Sequence, residues 1–200
     1  MILKDDLLFV IILIIEGVRM KFWFIILIII IILFGLFILI NIIYNKFQDF
    51  IIKINEVDGK IDEALRNKYD IILKLNNIIK EKIKTDKELV DDLEDLKKKD
   101  KSSFEIHRIL IEKFNKIDYV KKQYKELNKS EDVNKMFYDI NDIDESLNAY
   151  IKYYNENITK YNELVRKFPY MVMAVILKYK EKPYFDNKDL NDDKINDFKI

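Results

Sequence analysis

The sequence predicts an all-α protein in which an N-terminal transmembrane helix is followed by an up-down antiparallel bundle of three to four long helices. Residues 22–43 contain no charged side chain and read FWFIILIIIIILFGLFILINII. Beyond them, apolar residues recur at spacings of three and four, which is the period of one helical face. Only three glycines and two prolines occur in 200 residues. So few turn-forming residues disfavour a β architecture.

The apolar run has the length and composition of a transmembrane helix. Seventeen of the 19 residues from Phe22 to Ile40 are Ile, Leu or Phe. A helix of this length covers roughly 28 Å, and its summed preference for the bilayer is on the order of 5 to 10 kcal/mol. A cleaved signal peptide is the alternative, but the run is longer than a typical signal core and no small-x-small site follows Ile43. We therefore expect a retained anchor over residues 22–43.

Residues 1–21 are expected to form a short N-terminal extension. The apolar run at 7–15 is too short to span a bilayer, and EGVRMK at 16–21 places charge between it and the main segment. An alternative is that translation starts at Met20. Basic residues are equally frequent on both sides of the anchor, which leaves the membrane orientation undetermined: Lys4, Arg19 and Lys21 precede it, and Lys46, Lys53 and Lys60 follow it.

Charge and cysteine content exclude several function classes. Lys plus Arg and Asp plus Glu each number 35, and the two signs are interspersed, so no long-range field favours nucleic-acid binding. The chain has no cysteine, which excludes disulfides, thiolate metal sites and thiol nucleophiles. We expect no cofactor, no metal and no nucleic-acid partner.

The helical body, expected over residues 44–185, begins with a long amphipathic helix. Its predicted buried face comprises Phe47, Phe50, Ile51, Ile54, Val57, Ile61, Ala64, Leu65, Tyr69, Ile72, Leu75, Ile79 and Ile83. A capping-box pattern of Thr85 and Glu88 predicts a break or kink near 84–86, followed by a short helix to about Lys98.

Two further helices follow. Ser102 and Glu105 form a second capping-box pattern, and the helix they begin has an apolar face of Ile106, Leu110, Phe114, Ile117, Val120, Tyr124 and Leu127. Ser130 is the predicted cap of the last long helix. That helix carries a heptad seam of Val133, Ile140, Leu147, Tyr154, Tyr161 and Phe168, whose rings we expect in the core.

Pro169 should end the last long helix at or near Phe168, because proline cannot continue it and disfavours helical backbone at the residue before. The apolar residues 170–179 are expected either to pack back on the bundle or to contact lipid. Residues 186–200 are polar and are predicted to form a disordered tail.

Several short motifs resemble the LemA family of bacterial membrane-anchored helical proteins. They are Tyr44-Asn45, Arg66 followed by Asp70-Ile71-Ile72 and Leu75, Tyr154-Asn155, Tyr161-Asn162, Phe168-Pro169, Ala174 and Pro183-Tyr184-Phe185. The chain departs from the family in carrying Leu73 where a proline is usual. The resemblance, over roughly residues 22–186, implies a helical bundle on one N-terminal membrane helix in a bacterial cell membrane. It brings no established enzymatic activity with it.

Two repeated residue types have open interpretations. Asn134, Asn141, Asn148, Asn155 and Asn162 recur every seven residues, and they either hydrogen-bond a neighbouring helix and fix its register or simply occupy boundary positions. Tyrosines 150, 153, 154 and 161 either form a partner surface or, as the seam favours, pack in the core.

Catalytic motifs are not apparent in the sequence. The single histidine, His107, has no ligand or acid-base partner within one helical turn, so it is predicted to be an ordinary surface or boundary residue. We expect a non-enzymatic interaction or scaffold module at the membrane. Its partners would be the lipid bilayer, an unknown membrane or membrane-proximal protein and, as a further option, a second copy of the chain. The alternative is a membrane-bound enzyme or regulator with an unrecognised site on the bundle surface.

Overall fold

The computed structural model describes residues 2–83 and 101–186, with side chains from Arg19 onward apart from Met20. The helices in this part of the chain are α1 (Ile2–Ile83), α2 (Ser103–Gln123), α3 (Lys125–Asn128), α4 (Glu131–Arg166) and α5 (Tyr170–Leu177). No strand occurs among the described residues, so the predicted all-α class is confirmed. The predicted Thr85 cap, the short helix to Lys98 and most of the C-terminal tail lie outside the described residues.

The chain divides into two compact units, Met1–Phe47 and Gln48–Ile200. The first unit is helical from Ile2, and the backbone stays helical through residues 16–21. Its large apolar side chains from Phe22 to Ile42, apart from Ile26, are 43% to 64% exposed. One helix of the described part is long and apolar enough to cross a membrane, and its most apolar stretch has no side chain buried by protein.

The core of the second unit is built on the apolar face of α1. Ten residues of the predicted stripe beyond Phe47 are buried: Phe50, Ile54, Val57, Ile61, Ala64, Leu65, Tyr69, Ile72, Leu75 and Ile79. Their spacing of three and four residues keeps them on one side of the helix, as the sequence predicted. Leu110 and Ile117 from α2, Leu127 from α3, and Val133, Ile140 and Leu147 from α4 form one cluster with the stripe residues from Ile61 to Ile79.

Contacts between side chains show the directions of the long helices in this unit. Ser103 Oγ donates to Asp62 Oδ1 at 2.7 Å, and the Phe114 ring centre lies 5.9 Å from Lys68 Nζ. Later positions in α2 meet later positions in α1, so the two helices run in the same direction. In α4, Asp144 bonds Lys68, and Tyr154, ten residues later, is near enough to Asp58, ten residues before Lys68, to interact with it electrostatically. Later positions in α4 therefore meet earlier positions in α1, so α4 runs opposite to α1.

Helix termini largely follow the predicted caps. Glu105 N donates to Ser102 Oγ at 3.3 Å while Ser102 N donates to Glu105 Oε2 at 3.0 Å, which completes the predicted capping box. Ser130 occupies the N-cap of α4 but its side chain makes no capping bond. The helix predicted to continue through Tyr124 instead ends at Gln123, since Tyr124 adopts an extended conformation with φ −108° and ψ 108°.

The end of α4 corrects the prediction that Phe168 is a core residue. The heptad seam is buried at Val133, Ile140, Leu147 and Tyr161, but Phe168 is 74% exposed. The helix ends at Arg166, and Lys167 is extended, so residue 168 no longer occupies the angular position that the heptad assigns to it. Pro169 is the N-cap of α5, and Lys178, with φ 57°, is its left-handed C-cap.

Substitution of the two seam rings by alanine should therefore have unequal effects. Tyr161 is 2% exposed, so Tyr161→Ala should leave a cavity and cost about 3 to 5 kcal/mol of unfolding free energy. Phe168→Ala removes an exposed ring and should leave the melting temperature unchanged. Thermal unfolding of both variants, followed by circular dichroism, measures the difference. Equal losses would show that Phe168 is packed in the folded protein.

Candidate functional site

The most specific polar contacts of the second unit join α4 to residues 181–186, which we call the C-terminal segment. Asn162 Nδ2 donates to the Lys182 carbonyl at 2.9 Å, and Asn162 Oδ1 accepts from the Lys182 N–H at 2.9 Å. Asn162 is 2% exposed. One side-chain amide thus satisfies both backbone groups of a single residue and holds that residue against α4.

Two more residues of the same α4 face hold the C-terminal segment. Asn155 Oδ1 accepts from Phe185 N at 3.0 Å, and the hydroxyls of Thr159 and Tyr184 lie 3.1 Å apart. Asn155, Thr159 and Asn162 are spaced by four and three residues, so they face the same direction from the helix. Asn155 and Asn162 hold two backbone positions three residues apart, which sets the register of the C-terminal segment against α4. The predicted register role therefore applies to these two asparagines, but their partner is a non-helical segment and not a neighbouring helix.

An ion pair joins α4 to Glu181, the first residue of the C-terminal segment. Arg166 Nε donates to Glu181 Oε1 at 2.7 Å, and Arg166 Nη2 contacts the second carboxylate oxygen. The hydrogen bonds from Arg166 lower the pKa of Glu181, and the bond to Glu181 raises the pKa of Arg166. Because both side chains are more than two-fifths exposed, the pair contributes orientation more than stability.

Phe185 inserts its ring between α2 and α4. Its centre lies 5.9 Å from the Phe104 ring, 6.1 Å from the His107 ring and 6.5 Å from the Tyr154 ring, each in an edge-to-face arrangement. Such contacts add to the energy of burial. Phe185 therefore fastens the end of the C-terminal segment to two helices at once.

An ion pair with a buried cation and a partly exposed carboxylate lies next to this aromatic group. Lys68 is fully buried, and its Nζ bonds Asp144 Oδ1 at 2.5 Å. The ring of Phe114 lies 5.9 Å from the same ammonium group, close enough for a cation–π contact. Removal of an ammonium group from water is costly, and Asp144 compensates for that cost.

His107 lies beside this ion pair, at a boundary position, which is one of the two environments that the sequence predicted for it. It is half-buried, and burial lowers its pKa, assisted by the Lys68 cation and opposed by Asp144. Its Nδ1 atom is buried and has no hydrogen-bond partner among the described residues. The charged neighbours, Lys68 and Asp144, come from α1 and α4 and are distant from His107 in sequence.

The family-motif residues occupy several different environments. Tyr154, Asn155, Tyr161 and Asn162 all pack near the C-terminal segment, where the Lys182 ammonium lies 5.9 Å from the Tyr161 ring. Tyr44 and Asn45 are exposed in the first unit. Asp70 is exposed on α1 and lines an open groove of about 520 Å³ with Arg66 and Lys101. Burial raises the pKa of Tyr154 and of Tyr161.

Lys68 and Asp144 were missed by sequence reasoning, although one signal for Lys68 was present. Lys68 lies three residues after Leu65 and four before Ile72, and therefore within the apolar stripe of α1. A lysine at a stripe position indicates either a stem that extends to solvent or a buried partner. Only the packed structure shows that the partner is Asp144.

An apolar N-terminal helix, followed by a helical bundle whose last long helix holds a C-terminal segment through asparagine side chains, defines the class of this protein. The LemA family model matches residues 58–196, which is more than half of the chain. The chain belongs to the LemA family. No curated protein matches it.

Loss of the Asp144 carboxylate should destabilise the bundle. Asp144→Asn leaves Lys68 buried without a counter-charge, and we expect a cost of about 1.5 to 3 kcal/mol in unfolding free energy. The double variant Lys68→Met with Asp144→Asn should recover most of that loss, as measured by denaturant unfolding. Glu56→Gln, which breaks the exposed Lys60–Glu56 pair, is the matched control and should change nothing measurable. A double variant no more stable than Asp144→Asn would contradict this account.

His107 should make stability fall with acid. Its folded pKa is lowered, so this contribution is full above the unfolded value of about 6.5 and is lost as pH falls through the lower folded pKa. His107→Gln should therefore show a smaller drop in melting temperature between about pH 7.5 and about pH 5 than the parent chain. Carboxylate titration is common to both proteins and cancels in the comparison. Parallel pH profiles would refute the prediction.

Proposed function

We propose that this protein is a non-enzymatic, single-pass membrane protein that presents its helical bundle at the cell membrane as an interaction or scaffold module for another protein. Membership of the LemA family and an apolar helix long enough to span a bilayer support this proposal.

The apolar helix carries the proposal. Its side chains from Phe22 to Ile40 are apolar on every side and are not covered by protein, which is the surface that lipid solvates. Trp23 and Tyr44 are exposed near its two ends, 64% and 43% respectively. They are separated by 21 residues, or roughly 31 Å of helix, which matches the thickness of the hydrocarbon core. Amphipathic aromatic rings favour the two interfaces of a bilayer.

Exposed tyrosines mark a surface for a protein partner. Tyr119 near the end of α2 and Tyr138 near the start of α4 are each 66% exposed. The two helix ends are joined by α3 and meet where the Lys121 ammonium lies 4.0 Å from the Phe137 ring, so both tyrosines lie at the same end of the bundle. Tyrosine combines a large apolar area with a polar tip at low conformational cost, which suits protein interfaces.

Photo-crosslinking in washed membranes tests both halves of the proposal. The chain should remain in the membrane after carbonate extraction, because the insertion energy of the apolar helix exceeds any surface attachment. With p-benzoylphenylalanine in place of Tyr119 or Tyr138, irradiation should give adducts containing the same partner protein. The same substitution at Glu156, exposed near the other end of α4, is the control and should give none.

The two halves fail separately. Release of the chain by carbonate would overturn the membrane anchor. Retention of the chain without any adduct at Tyr119 or Tyr138 would overturn the assigned interaction surface. An adduct of twice the chain mass would identify a second copy as the partner.

A further inference from the structure

The helix α5 exposes an apolar face. Phe168, just before it, and Met171, Val172, Val175 and Ile176 are between 45% and 75% exposed. The spacing of Met171, Val172, Val175 and Ile176 places these four side chains on one side of the helix, while Ala174, at 2% exposure, packs against the bundle. Together with Phe168 in the preceding turn, they form a group of exposed apolar side chains that an aqueous surface rarely leaves uncovered.

A hydrogen bond holds the end of α5 beside Gln48, which follows the apolar segment closely in the chain. Gln48 Nε2 donates to the Tyr179 hydroxyl at 2.8 Å, two residues after the end of α5. Gln48 follows Ile43, the last residue of the apolar segment, by five residues. Five residues reach at most about 18 Å in any conformation, so the end of α5 stays near the membrane exit of the chain.

The charges around α5 match an anionic lipid surface. Lys167 precedes the helix, and Lys178 and Lys180 follow it, and all three are exposed. Residues 167–180 contain no Asp or Glu. Aromatic residues with polar tips, Tyr170 and Tyr179, lie at the two ends of the same segment. Cationic ends, interfacial aromatics and an apolar face are the features of a helix that lies in a membrane interface.

We propose that α5 lies in the interface of the bilayer, with the side chains of Phe168, Met171, Val172, Val175 and Ile176 among the acyl chains and the flanking lysines at anionic headgroups. An eight-residue helix alone would bind a membrane weakly. Here the anchor already holds it at the surface, so its high effective concentration replaces intrinsic affinity. This inference rests on the membrane anchor of the proposed function.

Fluorescence of single labels on the full-length chain tests the proposal. The chain has no native cysteine, so Val175→Cys introduces one labelling site, at a side chain that is 75% exposed. The variant is labelled with NBD and reconstituted in vesicles of phosphatidylcholine and phosphatidylglycerol. Ser146→Cys, at an exposed site on α4, is the aqueous control, and Ile31→Cys, within the apolar helix, is the bilayer control.

The label at residue 175 should emit at shorter wavelength than the label at 146 and should be quenched by acyl-chain doxyl lipids. The shift should shrink in pure phosphatidylcholine and in the Lys167→Gln, Lys178→Gln, Lys180→Gln variant. A label at 175 that matches the one at 146, while the label at 31 is quenched, would overturn the placement of α5 alone. A label at 31 that reports water would overturn the anchor, and with it this inference.

A second copy of the chain or another protein on the same face gives a different result. Self-association would shift the emission of the label at 175 without quenching by doxyl lipids. It would also produce energy transfer between labelled copies, and dilution with unlabelled chain would reduce that transfer. Either that pattern or a shift that requires an added membrane extract would overturn lipid as the occupant.

Discussion

The bundle depends on the apolar stripe of α1 from Phe50 to Ile79. Ten buried side chains at helical spacing give the other described helices one continuous surface on which to pack, and each large aliphatic or aromatic member contributes about 1.5 to 3 kcal/mol when fully buried. The 21 residues of α2 bury only Leu110, Lys113 and Ile117. A helix of that length with so small a buried face depends on its neighbours for stability. The burial of α2 and α4 therefore follows from α1.

The C-terminal segment shows how an irregular stretch is held without a sheet. Its backbone groups have no strand to pair with, and buried backbone N–H and C=O groups are costly when unpaired. Asn162 satisfies both groups of Lys182, and Asn155 satisfies the N–H of Phe185. An apolar side chain at either position would fill space but would leave these groups unpaired. Asn155 and Asn162, in the motifs Tyr154-Asn155 and Tyr161-Asn162, thus have a structural role independent of any catalytic role.

The Lys68–Asp144 pair, whose cation is buried, introduces specificity into a largely apolar interface. An aliphatic stripe tolerates small shifts of one helix along another, whereas a buried ammonium group must meet its carboxylate. Phe114 and His107, both from α2, lie beside the pair. We interpret the pair as a device that sets the axial position of α4 against α1, at some cost in stability.

The sequence alone determined the helical class, the apolar segment at 22–43, the buried face of α1 and the capping box at Ser102 and Glu105, because these depend on local periodicity and on residues within one or two helical turns. Only the tertiary structure decided which residues from different helices meet. Phe168 satisfied the heptad but lies outside the core, since the helix ends two residues earlier. His107 lacked partners within its own helix but lies beside Lys68 and Phe185, which are distant in sequence. The partners of Lys68, Asn155 and Asn162 are likewise set by packing over 76, 30 and 20 residues of chain, a separation at which local periodicity carries no information.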